Sequence, residues 1–328
     1  IYINIYNEYI LSADITADAG REINIQSGEY LIIPENKTLT LSNGSTTDFS
    51  GGSKIVVKDG GYLQINPDGR ISNNGEIEIE DGGTLIVGGT LANGTSADNS
   101  YSNSGKLTNE GIINIVHSST GSIIGNNGKS EIHNKNGGKI NIHPRPTSVE
   151  TRLVMEGTGG TCRIFNYLGA TINCLGYIDI RNGFFENRGT LNVMFSSEQT
   201  PEINDSDVKE YNFPASNPRK FSISETTVSN SRSALFENKA YTLVRSDGKI
   251  NISGGKFDNK NSDSRIILEQ TSEIEISDPD SPNQTILENN GVINNNGTIT
   301  TISYNANKGI NNKSDGIIIS SNSINNIN

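Results

Sequence analysis

The residues Lys54-Ile-Val-Val-Lys-Asp-Gly-Gly-Tyr-Leu-Gln-Ile65 return as Glu76-Ile-Glu-Ile-Glu-Asp-Gly-Gly-Thr-Leu-Ile-Val87, an offset of 22. One copy upstream, Leu31-Ile-Ile-Pro-Glu-Asn-Lys-Thr-Leu-Thr-Leu41 matches residues 55–65 at an offset of 24. Inside each copy the apolar residues alternate, as at Ile77, Ile79, Leu85 and Val87. That is the period of a strand with one buried face. Between the strands stand Glu-Asp-Gly-Gly or Pro-Glu-Asn-Lys, which is turn chemistry. A third strand near Arg70-Ile71-Ser72 leads through Asn73-Asn74-Gly75 into the next copy. A unit this short cannot bury an apolar face alone, so its copies must stack.

The motif recurs down the chain, for example at Gly111-Ile-Ile113-Asn-Ile115, Gly138-Lys-Ile140-Asn-Ile142, Gly189-Thr-Leu191-Asn-Val193, Gly248-Lys-Ile250-Asn-Ile252 and Gly297-Thr-Ile299. Three short strands per unit with tight corners wind into one coil of a parallel solenoid. Each residue then lies over its repeat-mate at roughly the 4.8 Å strand spacing. A β-sandwich of Asn-Gly hairpins is the competing architecture, but its strands need not match at a fixed offset. The sequence therefore predicts an all-β, single-stranded, right-handed parallel β-helix with three-strand coils of about 22–24 residues. One domain spans 1–328, with inserted loops near 92–104 and 196–227. Stacking also predicts opposite-sign pairs, Lys54 over Glu76 and Lys58 over Glu80, and an amide rung of Asn166 over Asn187.

The composition fits a thin core. Hydrophobic residues make only 32%, while the 328 residues include 45 Asn, 45 Ile and 35 Gly. Stiff, β-branched Ile suits strands, and Asn and Gly suit corners. The net charge is −11 with basic residues scattered, so no nucleic-acid surface is expected. No apolar run approaches a membrane-spanning helix. The chain opens on Ile1 rather than Met, as a processed, trimmed or fragmentary chain would. Cys162 and Cys174 leave one bridge open, with two unbridged thiols buried in strands as the expected state.

The Asn/Asp-Gly-x-Ile/Leu-x-Ile/Val units resemble those of right-handed parallel β-helix proteins of bacterial and archaeal surfaces. These include filamentous-haemagglutinin-like adhesins, autotransporter passenger domains and the pectate-lyase-like superfamily. The resemblance covers most of residues 20–320 and is architectural. It implies an extracellular or cell-surface location.

Catalysis would need clustered carboxylates on one face, yet acidic residues look dispersed along the chain. Asp59 and Asp81 stack within turns, and Glu76, Glu78 and Glu80 read as a solvated strand face. The pairs Asp205/Asp207 and Asp278/Asp280 continue into no calcium loop, and His117, His133 and His143 lack zinc spacing. No metal, cofactor or catalytic residue is assigned. Eight Asn-x-Ser/Thr sequons match the number that chance gives in so Asn-rich a chain.

The expected role is a non-catalytic structural or adhesive surface element that self-assembles through its ends or flanks into a fibre, sheath or matrix. Candidate contact residues are Tyr2, Tyr6 and Tyr9 in the alternating N-terminal segment, and Tyr211, Phe213 and Phe221 in the long insertion. A homo-oligomer is the expected assembly, with cell-surface polysaccharide as a further partner. Two other functions share the fold. One is a polysaccharide lyase or tailspike-like depolymerase; the other is an adhesin that binds sugar through 196–227.

Overall fold

The computed structural model describes residues 2–327, apart from 4–6, 19, 43–44, 95–104, 117–121, 126–129, 144–151, 157–161, 175, 194–218, 224–233, 246–247, 254, 278–285, 303–308 and 322–323. The described residues form strands, turns and bends with no helix, so none is present that could cross a membrane. The strands build three long sheets that run side by side. Sheet A begins at Glu8–Ile10 and ends at Gly309–Asn312; sheet B runs from Ile15–Ala17 to Ile317–Ser320; sheet C runs from Glu22–Ile25 to Ile324–Ile327. The chain visits A, B and C in turn, and each strand pairs in parallel with the strand three places on. Twelve coils result, a parallel β-solenoid. At its start, Tyr2–Ile3 adds to sheet A antiparallel, Tyr2 opposite Ile10 and Ile3 opposite Tyr9.

The register follows the sequence offsets. Lys54 pairs with Glu76, Leu31 with Ile55, and Leu63 with Leu85. Where corners are plain the coil is short: Asn166 and Asn187 are 21 residues apart, whereas Asn187 and Asn238 are 51 apart. The strands on either side of an insertion thus keep the same register. The prediction of stacked opposite charges holds, with Lys58 Nζ 2.5 Å and Lys54 Nζ 3.6 Å from the carboxylates of Glu80 and Glu76.

Most strands have four residues, the second and fourth pointing inward and buried. These inward columns form one continuous core from Leu11 to Ile299. In sheet A the column over Ile55, Ile77 and Leu107 passes through Ile164 to Phe185, Phe236 and Phe257. The rings of Phe236 and Phe257 meet edge to face at 4.6 Å, and those of Phe185 and Phe236 at 5.0 Å. Such contacts add about 1 kcal/mol each beyond burial. Cys162 and Cys174 are buried in this core as thiols.

From Gly61 onward a small residue precedes each sheet B strand, because coils approach closely there. A Cβ on Gly83 would stand 2.6 Å from the Val57 carbonyl oxygen, and one on Gly111 only 2.3 Å from that of Gly83. Backbone cannot yield as a flexible side chain can. This column of small residues lets the corner stack at strand spacing.

Candidate functional surface

The corner between sheets A and B is lined by amides. Asn109, Asn134, Asn166, Asn187, Asn238, Asn259, Asn289 and Asn312 hold the fourth position of successive sheet A strands. Each donates through Nδ2 to Oδ1 of the next, over 2.7–2.9 Å. Most also donate to the carbonyl that opens the next coil's sheet B strand, as Asn134 does to Thr171 at 3.0 Å and Asn187 to Tyr241 at 2.9 Å. All but Asn312 are essentially inaccessible to solvent. The first amide has no donor beneath it, since Ile79 occupies that place, and Asn109 Oδ1 is left buried without a partner. A second row, Asn114, Asn141, Asn173 and Asn192, stacks on the outer side of sheet B with donors pointing the other way.

Sheet A turns a charged face outward. Near its start, Lys54 reaches Glu78 at 2.6 Å, and Lys106 reaches Glu76 at 2.8 Å. Burial pushes Glu76 up, but Lys106 and Lys54 outweigh it and hold its carboxyl below the ordinary range. Further along, the rings of His133, Phe165 and Tyr167 stack on one another at 5.1–6.0 Å. His133 Nδ1 also lies 2.9 Å from the Tyr167 hydroxyl, and Nε2 lies 3.0 Å from Glu131.

Beyond the rings, Glu186, Glu237, Asp258 and Glu288 stand in register on four successive strands. Carboxylates at strand spacing repel unless paired. Here every one has two cations. Arg188 and Lys239 hold Glu186; Lys239 and Lys260 hold Glu237; Lys260 and Lys256 hold Asp258; Lys256 and Lys313 hold Glu288. Burial raises Glu237, yet Lys239 and Lys260 bring it below the ordinary value; Glu288 is lowered chiefly by Lys256. In return, Lys239 and Lys256 sit above theirs because their carboxylate partners outweigh burial, and Lys260 rises chiefly through its hydrogen bond to Asp258. Glu237 and Glu288, favoured in their charged form, are poor proton donors, and Lys239, Lys256 and Lys260, favoured as ammonium, are poor bases. The four carboxylates and their cations interleave as a charge zipper along sheet A.

The carboxylates that look dispersed in the sequence are therefore gathered by the fold. A signal for them exists: Phe185-Glu-Asn187, Phe236-Glu-Asn238, Phe257-Asp-Asn259 and Leu287-Glu-Asn289 are one motif in four copies. The 51-residue spacing between the first two hides it.

Tyr9 is half-buried, and its hydroxyl donates to Glu29 Oε1 at 2.9 Å, which raises its pKa. Tyr2 lies in the antiparallel strand. Phe221, within the long insertion, falls in a sheet C strand, Arg219–Ile223, in register with the buried Ile178 and Ile250. Tyr6, Tyr211 and Phe213 lie outside the described residues, as do His117, Asp205, Asp207, Asp278 and Asp280. The structure does not bring Tyr9 and Phe221 together: they belong to the first coil of sheet A and a late strand of sheet C. Among the described residues no group of three or more His, Cys, Asp or Glu is placed to hold a metal.

No family model matches the chain, and no curated protein matches it. Among solved structures, a TibC-catalysed hyper-glycosylated fragment of TibA is similar over 97% of this chain and 99% of that one. The identity is 13% and the TM-score 0.27, so the match carries no functional residue across to this chain.

Proposed function

We propose that the protein is a non-catalytic structural or adhesive rod of the cell exterior, one that associates with further copies of itself. The observation that carries this reading is the unbroken stack of twelve coils whose side chains are spent on holding the next coil. Amide rows, ring stacks and paired charges all run along the axis, from one coil to its neighbour. An enzyme of this shape would present carboxylates poised between two protonation states. The four in-register carboxylates are instead each held by two cations. That arrangement supports a load-bearing flank over a lyase or hydrolase site.

An antibody raised against the purified chain tests the location. Labelling of intact source cells is expected; labelling only after lysis would overturn the surface reading. Electron microscopy across a concentration series tests association, with paired or extended particles expected and strictly single rods counting against it.

A further inference from the structure

The three outer faces are not alike in charge. From Thr38–Leu41 to Ile317–Ser320, eleven sheet B strands each turn their first and third residues outward, and every one of these positions is described. None of them is Asp or Glu, and only Lys139 and Arg265 carry any charge. In a chain of net charge −11 this face is exceptional. Sheet A, by contrast, shows Glu76, Glu78, Glu131, Glu186, Glu237 and Asp258 at the same positions.

The same face holds the exposed apolar surface. Of the eight large hydrophobic residues exposed among the described ones, five are on it: Tyr62, Ile112, Tyr241, Ile317 and Ile319. Between them lie Thr171, Thr190 and the amide row from Asn114 to Asn192, whose two most buried members are Asn114 and Asn141. Regular parallel pairing keeps the surface even from strand to strand.

We infer that the outer face of sheet B is where a second copy of this chain docks, flank to flank. This rests on the proposed self-association and assigns its contact surface. Size supports a protein partner: eleven strands at about 4.8 Å, each four residues long, give roughly 700 Å². A standard interface buries about 800 Å² per partner. Charge supports a second copy in particular. Two rods of this net charge repel over most of their surface, and they approach at least cost through the flank that lacks carboxylates. Exposed Tyr and Ile toward both ends of the flank, with uncharged amides and threonines between them, give it aromatic and apolar contact surface of the kind interfaces use.

Sedimentation velocity on the full chain tests this, with Tyr62→Glu and Tyr241→Glu on sheet B and Tyr30→Glu on sheet A as the control. The wild type should dimerise more tightly at 0.5 M than at 0.05 M NaCl, because salt screens the net repulsion. Each sheet B variant should weaken the dimer at least tenfold, and the control less than twofold. Circular dichroism verifies that the exposed substitutions leave the fold intact. Should the sheet B variants dimerise as the control does, the face is wrong while self-association stands. A wild type that stays monomeric at every concentration, including one that binds an uncharged glycan instead, overturns both.

Discussion

The coils before and after residue 100 solve the same corner differently. In the early coils the fourth position of sheet A is Ile33, Val57 and Ile79, an aliphatic column sealed by packing alone. From Asn109 onward it is an amide in every coil. The corners differ too. After Ile33, Val57 and Ile79 the chain takes four residues to reach sheet B, and the backbone closes the turn on itself, as Gly61 N does to Lys58 O and Gly83 N to Glu80 O at 2.9 Å. After Asn109, Asn187, Asn238 and Asn289 two residues suffice, whereas after Asn134, Asn166 and Asn312 four residues again close on a backbone bond, as Gly138 N does to Lys135 O at 2.8 Å. Whichever the corner, the Asn amide donates to the sheet B entry carbonyl of the next coil, as Asn187 does to Tyr241 and Asn134 to Thr171. The amide column thus accepts corners of either length.

The largest test of this contrast lies in the packing beside the amides. Phe236→Ala opens a cavity between Phe185 and Phe257 and should cost about 4 kcal/mol, read from the chemical denaturation midpoint. Hydrogen exchange should show the loss concentrated in the neighbouring coils and the early, aliphatic coils unaffected, since solenoid stability is a sum of local terms.

Acid comes next. His143 directly follows the sheet B strand Lys139–Ile142 in the amide-lined part, and burial lowers it from 6.5 to about 4. The equivalent corners of earlier coils carry Ser42, Asn66 and Gly88, which do not titrate. As pH falls below 6.5 the unfolded chain binds a proton that the fold refuses. Stability present above 6.5 should therefore fall by roughly 3 kcal/mol as pH approaches 4. His143→Gln should flatten the urea midpoint over that window. Below it, Glu237 and Glu288 take over, since their lowered pKa values make stability that exists above the ordinary carboxylate range vanish as pH drops through the folded values.

Asn134→Val should cost about 2 kcal/mol, because it strands the Oδ1 of Asn166 and the Thr171 carbonyl. Asn109→Val, at the foot of the same row, should cost about 1 kcal/mol less. It strands the Oδ1 of Asn134 and the Lys139 carbonyl in the same way, but it removes the orphaned Oδ1 and leaves no amide donor beneath it unpaired. Equal costs at the two sites would mean that the row contributes through volume alone, and the contrast between the two kinds of coil would lose its basis.

Much of this architecture is legible in the residues themselves. The Asp-Gly-Gly repeat at 59–61 and 81–83 places Lys54 over Glu76, and Asn166 lies over Asn187 with its Nδ2 2.8 Å from Oδ1. Local spacing carries that information wherever a coil is uninterrupted. It fails across insertions: Glu186 and Glu237 touch the same lysine although they are far apart in sequence. The bare charge of sheet B is illegible for another reason. No single strand such as Thr190–Val193 is unusual; the absence of carboxylates emerges only when eleven strands are laid side by side.

The direction of the corner amides has one more consequence. Every Nδ2 points toward the C-terminal end, so the row is a line of aligned dipoles. Turning one amide over would set donor against donor on one side and acceptor against acceptor on the other. Reversal can only sweep the whole row, much as a domain wall crosses a magnet. The rod thereby has a heading, written in neutral groups that neither salt nor proton concentration can erase.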